Sequence, residues 1–252
     1  MRISIITPTY NSGGTVRDTI ESVMHQSYTD WELVVVDGAS SDNTIAVIDE
    51  YRDRLGDRLK VVSEPDNGIY DAMNKGIALA TGEVLGVLNS DDFYTADDVL
   101  ERVAERMGRG DIDAVYGDVH YVEPGNLKRS VRYYSSRPFR RWTMRYGLMP
   151  AHPSFYCRRE IYDRYGNFNI DYKVAADFEL LLRLIFVHRI STEYIPMDFV
   201  TMRTGGNSTS GWGSHKRIML DHRKALKANG VYSNVLMLSF RYLYKAWELI
   251  KS

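Results

Sequence analysis

Val84-Leu85-Gly86-Val87-Leu88-Asn89-Ser90-Asp91-Asp92 carries an uninterrupted apolar run straight into a polar, acidic loop. Continuous apolar strands belong to sheets covered on both faces, and ligands of open α/β sheets gather where the carboxyl ends of such strands open into loops. Acids at that exit suit a hard divalent cation, which takes one or two carboxylates and completes its shell with phosphate oxygens. The competing reading is structural: Asp91 and Asp92 start a turn and cap a helix beginning near Thr95.

The same pattern extends on either side. Ile3–Thr7, Leu33–Asp37 and Leu59–Ser63 are strand-like runs, while Val16–His25, Thr44–Arg54, Tyr70–Ala80 and Ala96–Met107 have helical periodicity. Strand and helix alternate through residues 1–110, which predicts an α/β, doubly wound, mostly parallel sheet with helices on both faces. After Asp113-Ala114-Val115-Tyr116 the alternation gives way to hairpin-like, loop-rich sequence as far as Pro150. A strand at Ser154–Cys157, a short helix from Arg159 and a longer one over Ala176–Val187 follow. No Pro/Gly/Ser-rich linker marks residue 110, so 1–110 and 111–210 read as two halves of one globule, with 211–252 as C-terminal helices.

Composition bounds the function. With 252 residues, 44% hydrophobic and 26% charged, the chain has enough apolar material for a substantial core. A formal net charge of -1 gives no general attraction for nucleic acid, which is not an expected partner. Cys157 is the single cysteine, so no intramolecular disulfide forms; it reads as a small core residue in a reducing compartment. Arg2 leads directly into Ile3-Ser4-Ile5-Ile6, leaving no room for a signal peptide, and no stretch reaches the ~18 apolar residues of a membrane span. The expectation is a cytoplasmic protein able to rest on the inner face of a membrane.

Two segments favour an anionic membrane surface as a partner. From Ser214 onward eight Lys/Arg face only Asp221 and Glu248, and Leu236, Phe240, Leu243, Trp247 and Ile250 form a helical stripe with Arg241 and Lys245 on another face. Between Lys128 and Arg145 seven basic residues occur with no acid, interleaved with Tyr133, Tyr134, Phe139 and Trp142. Guanidinium groups there suit phosphates and the aromatics suit an interface. Packing of the stripe on the body, and a merely solvated basic loop, are the alternatives.

Three strand exits carry polar groups suited to a nucleotide: Thr7-Pro8-Thr9-Tyr10-Asn11, Asp37-Gly38-Ala39-Ser40-Ser41-Asp42 and Asn89-Ser90-Asp91-Asp92. Asp37 can accept hydrogen bonds from a base or ribose, and Tyr10 offers a face for stacking. Turn formation by Asp37, packing by Tyr10 and helix capping by Ser41 or Asp42 are the local alternatives. Neither Gly-x-Gly-x-x-Gly nor a P-loop follows the first strand, which argues against dinucleotide binding and P-loop phosphotransfer.

Ile5-Ile6-Thr7-Pro8-Thr9-Tyr10-Asn11, Val35-Val36-Asp37-Gly38-Ala39-Ser40-Ser41-Asp42, Asn67-Gly68-Ile69-Tyr70-Asp71-Ala72-Met73-Asn74-Lys75-Gly76 and Leu88-Asn89-Ser90-Asp91-Asp92 resemble the successive motifs of glycosyltransferase family 2. The resemblance covers the first 110 residues and extends through His152–Leu184. It implies a GT-A fold, a nucleotide-diphosphate sugar donor of the UDP or GDP type, a divalent metal (Mn²⁺ or Mg²⁺), and inversion at the anomeric centre on transfer to a glycan or lipid-linked hydroxyl. It assigns Pro8, Thr9, Tyr10, Asp37, Asn67, Asn74, Lys75, Asn89 and Ser90 to the nucleotide sugar. Asp91 corresponds to the last acid of the Asp-x-Asp motif, the metal ligand, while Asn89 stands in place of the first. The loss of that charge predicts weak ion binding until the donor supplies its diphosphate oxygens.

By the same resemblance Asp177, in Ala175-Ala176-Asp177-Phe178-Glu179, is the general base, with Ala176 replacing the first acid of the family's pair. An ordinary Asp, with a pKa of about 3.9, is ionised at neutral pH and able to take a proton from an attacking hydroxyl. A plain helix cap is the structural alternative, and Glu179 the less favoured base. Asp92 is assigned to the acceptor or diphosphate and His152 to the diphosphate, the metal or the acceptor, with a structural hydrogen-bonding role as the alternative for the histidine; Gly205-Gly206-Asn207-Ser208 reads as a lid over the donor or as a plain loop. Two rival functions remain at this level: a sugar-phosphate nucleotidyltransferase and a non-catalytic nucleotide- or carbohydrate-binding module.

Overall fold

The computed structural model describes residues 1–205 and 212–241, and side chains outside 212–216. The alternating first half consists of β1 (Ile3–Thr9), α1 (Val16–Met24), β2 (Trp31–Asp37), α2 (Thr44–Asp49), α3 (Arg52–Leu55), β3 (Leu59–Ser63), α4 (Ile69–Leu79) and β4 (Val84–Val87). Every residue of β1, β2 and β4 is buried, as expected for strands covered on both faces. There follow β5 (Phe93–Tyr94), α5 (Val99–Met107), the hairpin β6 (Ala114–Glu123) and β7 (Asn126–Tyr134), β8 (Tyr156–Arg158), α6 (Arg159–Tyr165), α7 (Ala176–Leu181), β9 (Thr192–Arg203) and α8 (Trp212–Ala228).

Among the described residues the nine strands form one sheet of order β3-β2-β1-β4-β8-β6-β9-β5, with β7 paired to β6. The run β3-β2-β1-β4 is parallel. Beyond it β8 runs antiparallel to both β4 and β6, β9 pairs parallel with β6, and β5 antiparallel with β9, so the doubly wound sheet is mixed in its second half. One face packs Ile3, Ile5, Leu33 and Val35 against α1 and α5; the other packs Ile6, Leu85 and Val87 against α4, α6 and α7. Close approach needs glycine twice. A Cβ on Gly76 of α4 would lie 2.4 Å from Ile6 Cγ2, and one on Gly86 of β4 would lie 2.2 Å from Tyr156 Cε1.

Several element ends depart from the sequence periodicity. The helix expected from Ala96 starts at Val99, because the Leu100 amide hydrogen-bonds to Gln26 Oε1 (3.0 Å) on α1 rather than to a local cap. The helix expected over Thr44–Arg54 breaks where Tyr51 turns inward, its hydroxyl donating to Glu21 at 2.8 Å and accepting from Arg17 at 3.1 Å. The strand expected at Ser154 begins at Tyr156, since His152-Pro153-Ser154 forms a 3₁₀ turn with Pro153, which has no N–H, in its first positions. Sequence periodicity assigns no strand to 192–203, yet the longest strand lies there. Cys157 is buried and free, as its composition context predicts. Of the lid turn only Gly205 lies among the described residues, and Leu243, Trp247 and Ile250 of the C-terminal stripe, with Lys245 of the face beside it, lie outside them.

The amino ends of the parallel strands are tied by one buried carboxylate. Glu32, second residue of β2, accepts hydrogen bonds from Ser4 Oγ of β1 (2.6 Å), from the Thr81 amide (2.5 Å) and hydroxyl (2.9 Å) and from the Gly82 amide (3.2 Å), and pairs with Lys60 of β3 at 2.9 Å. Half-exposed Arg2 and Lys60 cover it from outside. Burial alone would raise its pKa, but the bonds from Ser4, Thr81 and Lys60 outweigh that and bring it down to about 2. Replacing Glu32 by Gln is expected to cost on the order of 3 kcal/mol of unfolding free energy at neutral pH, read by denaturant titration. Because the folded pKa is depressed, the wild-type advantage is complete above the unfolded value near 4.5 and is lost as pH falls towards about 2, where the two proteins should converge.

Candidate active site

Three loops interlock at the carboxyl ends of the parallel strands. Pro8 and Thr9 are still within β1 and buried, Thr9 Oγ1 without a hydrogen-bond partner, whereas Tyr10 is the first residue out and is exposed. Asn11 takes a left-handed conformation (φ 49°), its amide donating to Ser40 Oγ (2.7 Å) and its Oδ1 accepting from the Ser41 amide (2.9 Å). Ala39 is also left-handed (φ 60°), a conformation a side chain resists, so the β2 exit is held by its bonds rather than by local preference. Asp37 supplies them: its enclosed carboxylate accepts from the Ser40 amide (2.9 Å) and hydroxyl and from Ser63 Oγ (2.7 Å) at the end of β3. It faces inward, shaping the loop that Tyr10 overhangs. A Cβ on Gly38 would lie 2.6 Å from Asp66 Oδ2 and 3.3 Å from Tyr10 Cδ2, so Asp66, which sequence reasoning did not single out, packs beside the same loop.

The third motif is engaged in bracing. The Asn67 amide donates to Asp71 (2.9 Å), opening α4. Asn74 clamps the backbone of Phe168, Nδ2 donating to its carbonyl (2.9 Å) and Oδ1 accepting from its amide (3.0 Å). Lys75 pairs with Glu64 (2.8 Å) and donates to the Pro65 carbonyl (2.9 Å).

The β4 exit holds two adjacent acids, one of them fully buried. Ser90 Oγ lies 2.8 Å from Ser12 Oγ, joining this loop to the β1 exit. Asn89 Nδ2 donates to Asp92 Oδ2 (3.0 Å), while Asn89 Oδ1 is buried with no partner. Asp92 is interior and its carbonyl accepts from Thr19 Oγ1 (2.7 Å). Asp91 keeps partial access to solvent. Burial pushes the carboxyls of both upward, Asp91 adding to the effect on Asp92, and the nearby Arg203 guanidinium opposes it. Arg203, at the end of β9, donates to the Asp91 carbonyl, pairs with Asp18 of α1 and lies over the Phe93 ring (5.0 Å). No sequence pattern marked it, because its strand was not legible.

On the other side, Asp177 stands in the first turn of α7, its Oδ1 accepting from the Phe178 amide (2.8 Å) and from the Tyr70 hydroxyl (3.3 Å). Tyr70 belongs to α4, whose amino end lies at the carboxyl edge of the sheet, so Asp177 is anchored on the strand-exit side. The single proton of the Tyr70 hydroxyl is shared between Asp177 and the nearer Val174 carbonyl (2.5 Å), and the Tyr70 ring stacks on Phe168 (5.6 Å), which in turn meets His152 edge to face (5.4 Å). Asp177 and His152 line a cavity of about 240 Å³ with Arg132, Tyr134, His222 and Arg241. Asp177 has a solvent-facing side there but is otherwise surrounded by protein. Burial raises its carboxyl above the usual range, against the opposing influence of His152 and of the Phe178 and Tyr70 donors. Burial likewise lowers His152, favouring the neutral ring. Glu179, two residues on, is taken up by Arg183 (3.0 and 3.1 Å) and Asn229 (3.2 Å), which leaves Asp177 as the acid facing the cavity. Asp91 is not part of the cavity wall; the two are linked through β9, whose Met202 lines the cavity beside Arg203.

Comparison with known proteins identifies the family and the fold. The family model for glycosyl transferase family 2 matches residues 4–166. A PGL/p-HBAD biosynthesis glycosyltransferase of Mycobacterium tuberculosis is 34% identical over 193 residues, 76% of this chain and 73% of the relative. Among solved structures, S. aureus TarS residues 1–349 in complex with UDP superposes with a TM-score of 0.67 at 21% identity, covering 90% of this chain and 65% of that one. The mannosyltransferase PcManGT from Pyrobaculum calidifontis gives 0.63 at 18% identity, covering 98% and 80%. With its GT-A-type sheet and a family model spanning most of its length, the chain belongs to glycosyltransferase family 2.

Proposed function

We propose that the protein catalyses inverting transfer of a sugar from a UDP- or GDP-type nucleotide sugar to a hydroxyl of a glycan or lipid-linked acceptor, with Asp177 as general base. The placement of Asp177 carries this reading: a carboxylate on the wall of a cavity, held by Tyr70 and raised in pKa by its surroundings. Residues 1–110 hold the donor and 111–210 present the acceptor. Asp177 takes the proton of the acceptor hydroxyl as its oxygen bonds to the anomeric carbon, opposite the diphosphate. The bond from that carbon to the diphosphate oxygen breaks, and the nucleoside diphosphate departs with the electron pair. Positioned proton transfer of this kind contributes about 10²- to 10⁴-fold in rate. Tyr70, kept protonated by burial and by Asp177, orients the base, and neutral His152 is available as a hydrogen-bonding group toward the acceptor.

The β4 exit fits a divalent cation. Asn89 Oδ1 is a buried acceptor without a partner, Asp91 is partly open, and oxygen donors of this kind suit Mn²⁺ or Mg²⁺. No group of three or more His, Cys, Asp or Glu side chains able to hold a metal exists among the described residues, so Asp91, with Asn89 beside it, would share the ion with diphosphate oxygens. When bound, the ion supplies charge compensation for the leaving diphosphate. The similar PcManGT structure is a complex with GDP-Man and Mn²⁺, and a TarS structure is a complex with UDP-GlcNAc, which supports a nucleotide-sugar donor here.

Asp177→Asn is expected to lower kcat by roughly 10²- to 10⁴-fold while the donor-induced rise in melting temperature persists; full turnover by this variant would dismiss Asp177 as the base. Because the deprotonated form is required and burial raises its pKa, kcat/KM should fall as pH drops through a value above the ordinary carboxylate pKa of about 3.9. An acid limb at or below that value would contradict the proposed environment. Asp91→Asn should raise the Mn²⁺ concentration that supports half-maximal donor binding by about tenfold or more, measured calorimetrically, and chelation should abolish transfer by the wild type.

A further inference from the structure

The helical segment over residues 235–241 is inside out. It buries Arg241 (9% exposed) and Leu238 against the body, while Leu236 (72%), Phe240 (50%) and Val235 face solvent. Leu236 and Phe240 are four residues apart and share one helical face. Trp142 (60% exposed) continues that face through edge-to-face contacts, Trp142 with Tyr146 at 5.8 Å and Tyr146 with Phe240 at 6.0 Å. Arg145 sutures the two segments, donating to the carbonyl of exposed Tyr232 (2.8 Å) with its guanidinium 5.5 Å from that ring. Clustered exposed aromatics and aliphatics of this kind mark a surface that is covered in use.

Charge identifies the cover. No Asp or Glu occurs from Pro124 to Arg159 or from His222 to Trp247, the stretches that build this face, and Arg137, Arg140 and Arg141 are exposed on it. We propose that this face docks on an anionic lipid bilayer, with Trp142, Leu236 and Phe240 entering the headgroup boundary and the arginines meeting lipid phosphates. A second copy of the chain is disfavoured, because a two-fold interface would set arginines against arginines. A bilayer supplies both apolar depth and negative charge. Among the described residues no helix is long and apolar enough to cross a membrane, so the contact is a surface one. Residues 147–150 run from this face into the wall of the Asp177 cavity, which Arg241 also lines. Docking therefore brings that cavity beside the bilayer, and, on the glycosyl-transfer reading above, beside a lipid-linked acceptor.

Flotation of the full chain with vesicles of phosphatidylcholine alone, or mixed with phosphatidylglycerol, tests this without reference to activity. Binding is expected to the mixed vesicles only and to weaken with salt. The pairs Trp142→Ala/Phe240→Ala and Arg140→Gln/Arg141→Gln should each lower the partition coefficient by roughly tenfold or more, with little change in melting temperature. Leu236→Gln carries the same expectation should the aromatic pair fail to fold. The proposal is overturned if folded wild-type protein ignores the mixed vesicles, or if these variants bind as well as wild type. It is also overturned if sedimentation shows a dimer that Trp142→Ala/Phe240→Ala dissociates.

Discussion

The buried carboxylate of Glu32 is the constraint on which the sheet depends. It draws Ser4 of β1, Lys60 of β3 and the Thr81-Gly82 turn before β4 to one point on β2. A buried charge that loses a partner is strongly destabilising, so slipping any of these strands by a residue would strip Glu32 of a ligand and also turn its neighbours' apolar side chains the wrong way. The amino ends are thereby locked in register. Their carboxyl ends then emerge in a set relation, and the loops there are joined by Ser12 to Ser90 and by Asn11 to Ser40 and Ser41.

The two ends of the sheet treat acids in opposite ways. At the amino end donors surround Glu32 and pull its pKa down. At the carboxyl end burial pushes Asp91, Asp92 and Asp177 up, with Arg203 and His152 as partial counterweights. Under-compensated acids are poor for stability, and a pair or a single carboxyl raised by burial in this way is what a ligand site characteristically contains. Tyr70 couples the two halves of the chain, since it comes from α4 and meets Val174 and Asp177 at the start of α7.

The α/β alternation was legible because burial on both faces forces short apolar strands such as Val84–Val87 between amphipathic helices. Element ends were less so: α5 starts where Gln26, 74 residues away in sequence, meets the Leu100 amide. The strand β9 escaped notice because only Phe199, Val200 and Thr201 along it are fully buried, which leaves neither a clean alternation nor a long apolar run. The acids of the site stood out in their motifs. Arg203 and Tyr70 did not, since their importance lies in contacts 112 and 107 residues distant. Asn74 and Lys75 were expected at the nucleotide sugar and are engaged in this structure with Phe168, Glu64 and Pro65.

By itself the sequence determined the layering of the sheet, the exits that carry acids, and the family motifs in order. These follow from periodicity and local residue chemistry, which neighbouring positions are enough to express. Only the tertiary structure decided how the two acids on α7 are engaged: Asp177 faces the cavity while Glu179 is consumed by Arg183 and Asn229. It also decided that the C-terminal segment turns Arg241 inward and Leu236 and Phe240 outward. Burial, pKa and orientation are sums over neighbours brought together from distant parts of the chain, and no local pattern contains them.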